Sequence, residues 1–317
     1  MKIKIGTRGS QLALTQVELV STALHQAHTD IEIEVVPLKT LGDRKQGTES
    51  AKVSDKKDWV YDLECAILDG RIDLAVHSGK DVPANIEPGT VLHPILKRAT
   101  PFDAFIGKIN PETAQRFKFE ELAQGATVGT ASLRRGAQAL LARADLRIIS
   151  HRGNVPTRIT KLDQNPKIDG IILACAGLER LSLKGELQGV SYQQLSPDLF
   201  LPALAQGTLV AQFAQTRTDI AEILDSLTDQ DTYNSWQAER TLALELEGDC
   251  KSAIGIFSTC SGDRLALRSR VMSPDGKECL ELSDEGISSE AIAIGKQLGK
   301  RLLRAGARAV IERAKEF

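Results

Sequence analysis

The sequence predicts an α/β protein that closes in a small α+β unit built on an antiparallel sheet. Three observations carry this. Strand, turn and helix patterns follow one another from residue 2 to about residue 226. β-Branched runs at 31–38, 146–149 and 169–174 alternate with amphipathic stretches, the rhythm of βα units. Near the end, strand patterns at 253–259, 264–272 and 277–283 are linked by turn signals such as Pro274-Asp-Gly276, and a helix pattern follows. At 317 residues the chain has room for two or three domains.

Residues 2–5 alternate and read as a strand, 6–10 as a turn, and Ser10 is placed to cap a helix from 11 to about 25. Residues 39–58 are polar, rich in lysine and glycine and without a hydrophobic period, so they read as a mobile loop of the kind that lies over a site. A helix at 59–68 and a strand at 73–77 follow, and the strand runs out into His77-Ser-Gly-Lys-Asp-Val-Pro83. Pro83 can continue neither helix nor central strand, which leaves Lys80 and Asp81 in a turn just past a strand's C-terminal end. In open α/β sheets that edge is where ligands bind. Taken by spacing alone, Asp81 reads better as a turn aspartate bonded to its own backbone than as a ligand-facing acid.

Short strands at 91–97 and 104–106 flank Pro101, and a second series begins: strand 127–129, helix 133–144, strand 146–149, helix 155–163, strand 169–174, helix 176–181. Pro197 and Pro202 mark a crossing back to a strand at 207–213. Helices at 218–226 and 231–247 precede Gly248, a C-cap that leaves Cys250 in a loop. The last helix, 289–316, breaks at Gly306.

Two stretches of the second series concentrate cations where helices begin. In Thr127-Val-Gly-Thr-Ala-Ser-Leu-Arg-Arg135, Ser132 caps the helix that carries Arg134 and Arg135. In Ile149-Ser-His-Arg-Gly-Asn-Val-Pro-Thr-Arg158, Asn154 caps the helix that carries Arg158, with Arg152 in the turn. Helix N-termini favour anions through free N–H groups and the helix dipole, and guanidinium forks match carboxylates. Arg8 and Arg180 stand at two further strand ends. One pocket for a ligand with several negative charges is expected.

The formal net charge is only −2, so no global basic field draws the chain to nucleic acid or membrane, and the cation cluster suits a small acidic ligand. The start is too short and polar for a signal peptide, and no apolar run reaches about 18 residues. Five scattered cysteines read as reduced thiols in a cytoplasm-like compartment, and none is spaced for a metal.

The motifs Gly6-Thr-Arg-x-Ser10, His77-Ser-x-Lys-Asp-Val-Pro83, Val128-Gly-Thr-x-Ser-Leu-Arg-Arg135, Arg152-Gly-Asn-Val-x-Thr-Arg158, Ala176-Gly-Leu-x-Arg-Leu181, Leu201-Pro-Ala with Gln206-Gly207, and Glu247-Gly-x-Cys250 occur in an order that resembles the porphobilinogen deaminase (hydroxymethylbilane synthase) family. The resemblance implies three domains: 1–100 with 200–218, then 101–199, then 219–317. The first two would be type II periplasmic-binding-protein-like lobes, and the third a small α+β unit with an antiparallel sheet. It implies a dipyrromethane cofactor held covalently by Cys250, contacted by Lys80, Ser132, Arg134, Arg135 and Asp103. Asp81 would be the catalytic carboxylate. Arg8, Ser10, Ser78, Arg152, Arg158, Arg180, Gln206 and the loop residue Lys56 would bind substrate.

The implied reaction joins four porphobilinogen units with loss of ammonia, and a carboxylate is the group suited to the positively charged azafulvene formed on the way. A cytoplasmic monomer that hands its product to uroporphyrinogen-III synthase is implied too, with neither metal nor membrane partner.

The chain departs from the family pattern around the site. Gly79 stands where Met is usual, Phe102 lies where an arginine is expected before Asp103, and Ala131, Gly136, His151 and Pro156 replace Ser, Gln, Leu and Gly. The loop over 47–59 lacks its glycine-rich, Phe-containing sequence, and 249–253 is altered around Cys250. A divergent paralogue that binds a pyrrole or other polycarboxylate without turnover is therefore the alternative, although pure binding needs neither Asp81 nor Cys250. A cysteine-nucleophile hydrolase is disfavoured, because no histidine stands near Cys250 in sequence.

Overall fold

β1 (Lys2–Arg8) turns Lys2 and Lys4 outward and buries Ile3 and Ile5 completely, the two-residue period of a strand with one face on a core. The computed structural model of the protein describes residues 1–45, 57–187, 189–246 and 252–314. Ser10 caps α1 (Gln11–Ala27) by accepting the Ala13 N–H at 3.4 Å, and β2 (Glu32–Leu38) returns parallel to β1.

The expected loop over 39–58 is corrected at both ends. Leu41–Lys45 forms a short helix, α2, and Lys57–Leu68 forms α3. Thr40 donates to Asp43 Oδ2 from its hydroxyl at 2.7 Å and from its N–H at 3.1 Å, a local side-chain closure that carries no hydrophobic period. Lys56, within the expected lid, lies outside the described residues, as does the stretch 247–251 with Cys250.

β3 (Leu74–Ser78) runs into a single 3-10 turn, Gly79–Asp81, before β4 (Thr90–Ile95). β5 (Asp103–Gly107), β6 (Thr127–Gly129), α4 (Leu133–Ala142), β7 (Arg147–Ile149), α5 (Val155–Gln164), β8 (Gly170–Ala174), α6 (Cys175–Ser182) and a two-residue β9 (Gln193–Gln194) make the second series. β10 (Leu209–Ala214), α7 (Thr218–Asp225), α8 (Gln230–Glu245), β11 (Ala253–Ser261), β12 (Arg264–Met272) and β13 (Cys279–Ile287) follow. The expected last helix is two, α9 (Ala291–Arg304) and α10 (Ala307–Ala314), separated at Gly306, whose φ of +97° suits glycine.

The strands form three sheets, in orders β2-β1-β3-β10-β4, β7-β6-β8-β5-β9 and β11-β12-β13. The first two share one plan, that of type II periplasmic-binding-protein lobes. Three parallel strands are joined by an antiparallel strand that enters from the other half of the chain: β10 pairs antiparallel with β3 and β4, and β5 pairs antiparallel with β8 and β9. The chain thus crosses between lobes twice, at 96–102 and again at 195–208. Pro37 and Pro94 are tolerated because β2 and β4 are edge strands, where a missing N–H leaves no gap in the ladder. The third sheet is antiparallel throughout and packs Ile256, Leu265, Leu267 and Val271 against Leu242 of α8 and Leu298 of α9. No helix among the described residues is long and apolar enough to cross a membrane.

One buried ion pair ties the first crossing to α8. Arg98 Nη1 donates to Glu239 Oε1 at 2.7 Å, and Arg98 Nε donates to the Gln206 carbonyl at 2.8 Å. Glu239, fully buried, also accepts from Ala205 N at 2.6 Å and from Ser258 N and Oγ at 2.8 and 2.7 Å. Ala205 holds φ +52°, a strained value for a residue with a Cβ, and the carboxylate fixes its N–H there. Every oxygen of Glu239 is engaged, so removal of its charge leaves Arg98 uncompensated. Glu239→Gln should lower unfolding stability by about 3 kcal/mol or more in urea denaturation followed by circular dichroism. A loss below about 1 kcal/mol would show that the pair adds little.

Candidate active site

The C-terminal strand ends of both lobes face one cleft of ≈ 1860 Å³. Arg8 and Ser10 reach it from the end of β1, and Ser78, Lys80 and Asp81 from the end of β3. Ser132, Arg134 and Arg135 come after β6, Arg152 and Arg158 after β7, Arg180 from α6, and Gln206 from the second crossing. Ser132 and Asn154 cap α4 and α5 as the sequence predicts, accepting the Arg135 and Thr157 N–H groups at 3.4 and 2.9 Å. Lys56 and Cys250 lie outside the described residues, but Ala243 of α8 and Ser252, on either side of the stretch with Cys250, both line the cleft.

Asp103 does not line the cleft. It sits beneath it, fully buried, and the Arg134 and Arg135 forks turn inward onto it instead of simply facing a ligand. Arg134 Nη1 and Nη2 donate to its two oxygens at 2.6 and 3.1 Å, Arg135 Nε donates at 2.9 Å, and Gln206 Nε2 donates at 2.9 Å. Arg135 Nη2 in turn donates to Gln206 Oε1 at 3.2 Å. Burial alone would push the Asp103 carboxyl up, but Arg134 and Arg135 override it and hold the group well below the usual carboxylate range.

The remaining cations carry a surplus of positive charge. Arg158 Nε donates to the Gly153 carbonyl at 2.7 Å, while its Nη groups bond no acceptor among the described residues. Burial, and then Arg135 nearby, push Arg158 down to about 10. Burial likewise brings Arg180, whose Nη2 donates to the Gly207 carbonyl at 2.7 Å, to about 10. Lys80 falls to about 8, mainly through burial, with Asp81 opposing and Arg135 reinforcing the shift. Asp81 is exposed to the cleft within the field of Lys80, Arg135 and Arg158. Cations that depress one another in this way are those a polycarboxylate would relieve.

Arg8 is already partnered. Its Nη2 donates to Asp43 Oδ1 at 2.6 Å and its guanidinium lies 4.1 Å over the Trp59 ring. A ligand carboxylate that uses Arg8 therefore competes with Asp43. The sequence does not single out Asp43, Arg98 or Glu239, because the Arg8–Asp43 and Arg98–Glu239 pairs join residues 35 and 141 positions apart.

Several departures from the family pattern are matched by local packing. A Cβ on Gly79 would stand 3.1 Å from the Trp236 ring and 2.9 Å from Ala205, so the indole fills the space of a side chain at 79. Phe102 meets Phe257 of the third sheet edge-on at 5.7 Å between centroids. His151 is buried, and its Nε2 donates to the Arg158 carbonyl at 2.9 Å. Pro156 occupies the first turn of α5, where its missing N–H costs nothing. Gly136 leaves room for Ile148, and Ala131 is exposed on the cleft wall.

Residues 3–222 match the family model described as "Porphobilinogen deaminase, dipyromethane cofactor binding domain", and 234–304 match "Porphobilinogen deaminase, C-terminal domain". A porphobilinogen deaminase of Trichlorobacter lovleyi is 40% identical over 311 residues, which span 98% of this chain and 96% of that protein. Among solved structures, an ancestral arginine-binding protein bound to arginine is 12% identical with a TM-score of 0.39, covering 71% of this chain and 90% of its own. CbnR, a LysR family transcriptional regulator, is 9% identical with a TM-score of 0.43, covering 72% and 70%. The two matched domains between them take in both lobes and most of the third unit, and the chain belongs to the porphobilinogen deaminase family.

Proposed function

We propose that this chain is a transferase of tetrapyrrole biosynthesis that condenses four porphobilinogen units into hydroxymethylbilane, releasing one ammonia per unit joined. The observation that carries the reading is Asp81, the most exposed of the carboxylates among the described cleft residues, set among cations in excess in a cleft lined on both sides of the stretch that holds Cys250. Binding alone would gain nothing from an acid placed among groups meant for anions.

The cofactor of this family is dipyrromethane, two linked pyrroles with four carboxylates between them, and the site fits it. Arg180 is buried and Arg158 and Lys80 are half-buried, and all three are cations in excess of the described carboxylates beside them. Cys250 would hold it covalently, and Lys80, Ser132, Arg134 and Arg135 would border it over the floor set by Asp103. When bound, it supplies the pyrrole carbon to which the first unit is joined.

The chain's own residues then have distinct tasks. Arg8, Ser10, Ser78, Arg152, Arg158, Arg180 and Gln206, with Lys56 from the expected lid, orient the acetate and propionate arms of substrate. Asp81 faces the positive charge that develops as the C–N bond to ammonia breaks, and it accepts the proton released when the new C–C bond forms. We assign the protein to the cytoplasm as a monomer that acts on a small molecule and passes its product to uroporphyrinogen-III synthase. The scattered cysteines support the compartment, and the weak net charge supports a small-molecule ligand.

Intact mass of the protein expressed with porphobilinogen available should exceed the bare chain by two linked pyrroles, and Cys250→Ser should lose the excess. A bare mass in the unsubstituted protein would favour the pure binding reading. Asp81→Asn should keep the adduct but drop turnover by about 100-fold or more, as loss of a charge-stabilising group does. Unchanged turnover would remove Asp81 from its role.

Lys80 adds a pH signature. Its folded pKa of about 8 lies below the unfolded value of 10.5, so in the unliganded protein its charge costs stability below about pH 8, and that cost is relieved as pH rises toward 10.5. Carboxylates would restore the charge, so porphobilinogen binding to the Cys250→Ser protein above pH 8 should take up protons, measured by calorimetry in buffers of different ionisation heat. Lys80→Met should abolish the uptake, and uptake that persists would assign it to another group.

A further inference from the structure

The turn that carries Lys80 and Asp81 makes few bonds of its own. Val82 N–H reaches the Gly79 carbonyl at a long 3.3 Å, and Pro83 has no N–H to give. Gly79 N–H is held by the Thr208 carbonyl at 2.9 Å. Further support comes from α8 of the third unit. Arg240 Nη1 donates to the Pro83 carbonyl at 3.2 Å, and Nη2 donates to the Ala84 carbonyl at 2.8 Å. The Arg240 guanidinium lies 5.2 Å over the ring of Trp236, and that ring closes on Gly79 from the same side. Among the described residues no carboxylate pairs with Arg240, so its charge is spent on two backbone carbonyls.

We propose that Arg240, backed by Trp236, is a positioning residue for Asp81: a clamp from α8 that fixes the turn at 79–84 and so the place of the carboxylate in the cleft. Neither residue touches the reacting atoms. The clamp sits on the helix that leads into the stretch with Cys250, so one rigid element sets both the carboxylate and the approach to the anchor. A shift of about 1 Å in such a group is worth about 100-fold in rate even when the altered residue is remote. This inference rests on the transferase reading for its kinetic consequence, but not for its structural one.

The test uses the full-length protein with Arg240→Met, which keeps the apolar stem, and Arg240→Lys, which keeps one donor to the carbonyls. With porphobilinogen, Arg240→Met should lower kcat about 100-fold while KM moves less than about threefold, and Arg240→Lys should recover part of kcat. Hydrogen exchange should quicken at the Gly79 and Val82 amides in Arg240→Met and recover in Arg240→Lys, with the two-pyrrole adduct retained. Unchanged exchange at 79–84 in Arg240→Met overturns the clamp, as does a kinetic loss seen mainly in KM. If Arg240→Met does not fold, Arg240→Lys and Trp236→Phe decide by the same two readouts, and normal kcat with normal exchange in both overturns it. An unsubstituted protein that does not turn over porphobilinogen would refute the transferase reading, while the exchange measurements still judge the clamp.

Discussion

The architecture depends on a buried ionic joint at the two places where the chain passes between lobes. Asp103 opens the strand that enters the second lobe, and Gln206 lies on the path back. Arg134, Arg135 and Gln206 all donate to Asp103, while Arg98 donates both to the Gln206 carbonyl and to Glu239. Charges removed from water are tolerable only when every oxygen and every fork is met, and loss of one member costs several kcal/mol. The joint therefore admits little adjustment. It fixes the angle between two lobes whose facing edges make the cleft, and through Glu239 it fixes the third unit against both.

That arrangement explains why the cleft is cationic without the chain being basic. Asp103 neutralises part of Arg134 and Arg135 from below, and Asp43 engages Arg8 from the side. Lys80 and Arg158, half-buried, and Arg180, buried, remain as charge that a ligand's carboxylates would balance. Asp81 is the exception in sign and stands in the open part of the cleft.

The changes from the family pattern concern packing more than chemistry. The Trp236 ring fills the space beside Gly79, and Phe102 finds an aromatic partner on the third sheet. His151 trades an apolar contact for a hydrogen bond that steadies the first turn of α5, and Pro156 suits the start of that helix. Apart from the arginine expected at 102, these are the adjustments of a site whose charged groups are kept while the shell around them is repacked.

The order of βα units, the serine and asparagine caps, the crossing back near Pro202 and the antiparallel tail were legible in the sequence, because each rests on local periodicity or on a turn residue with one physical use. α2 was not, since Thr40 and Asp43 build it through side-chain bonds, and β9 is too short to show a period. The sequence marked the arginines at helix starts as ligand-facing. Only the tertiary structure decided that Arg134 and Arg135 turn down onto Asp103, that Arg8 is held by Asp43, and that Arg98 and Arg240 reach α8 or depart from it to grip the crossing and the Asp81 turn. The reason is physical: periodicity tells which face a side chain occupies, but the partner of a charge is chosen by whatever distant segment folding brings within about 3 Å.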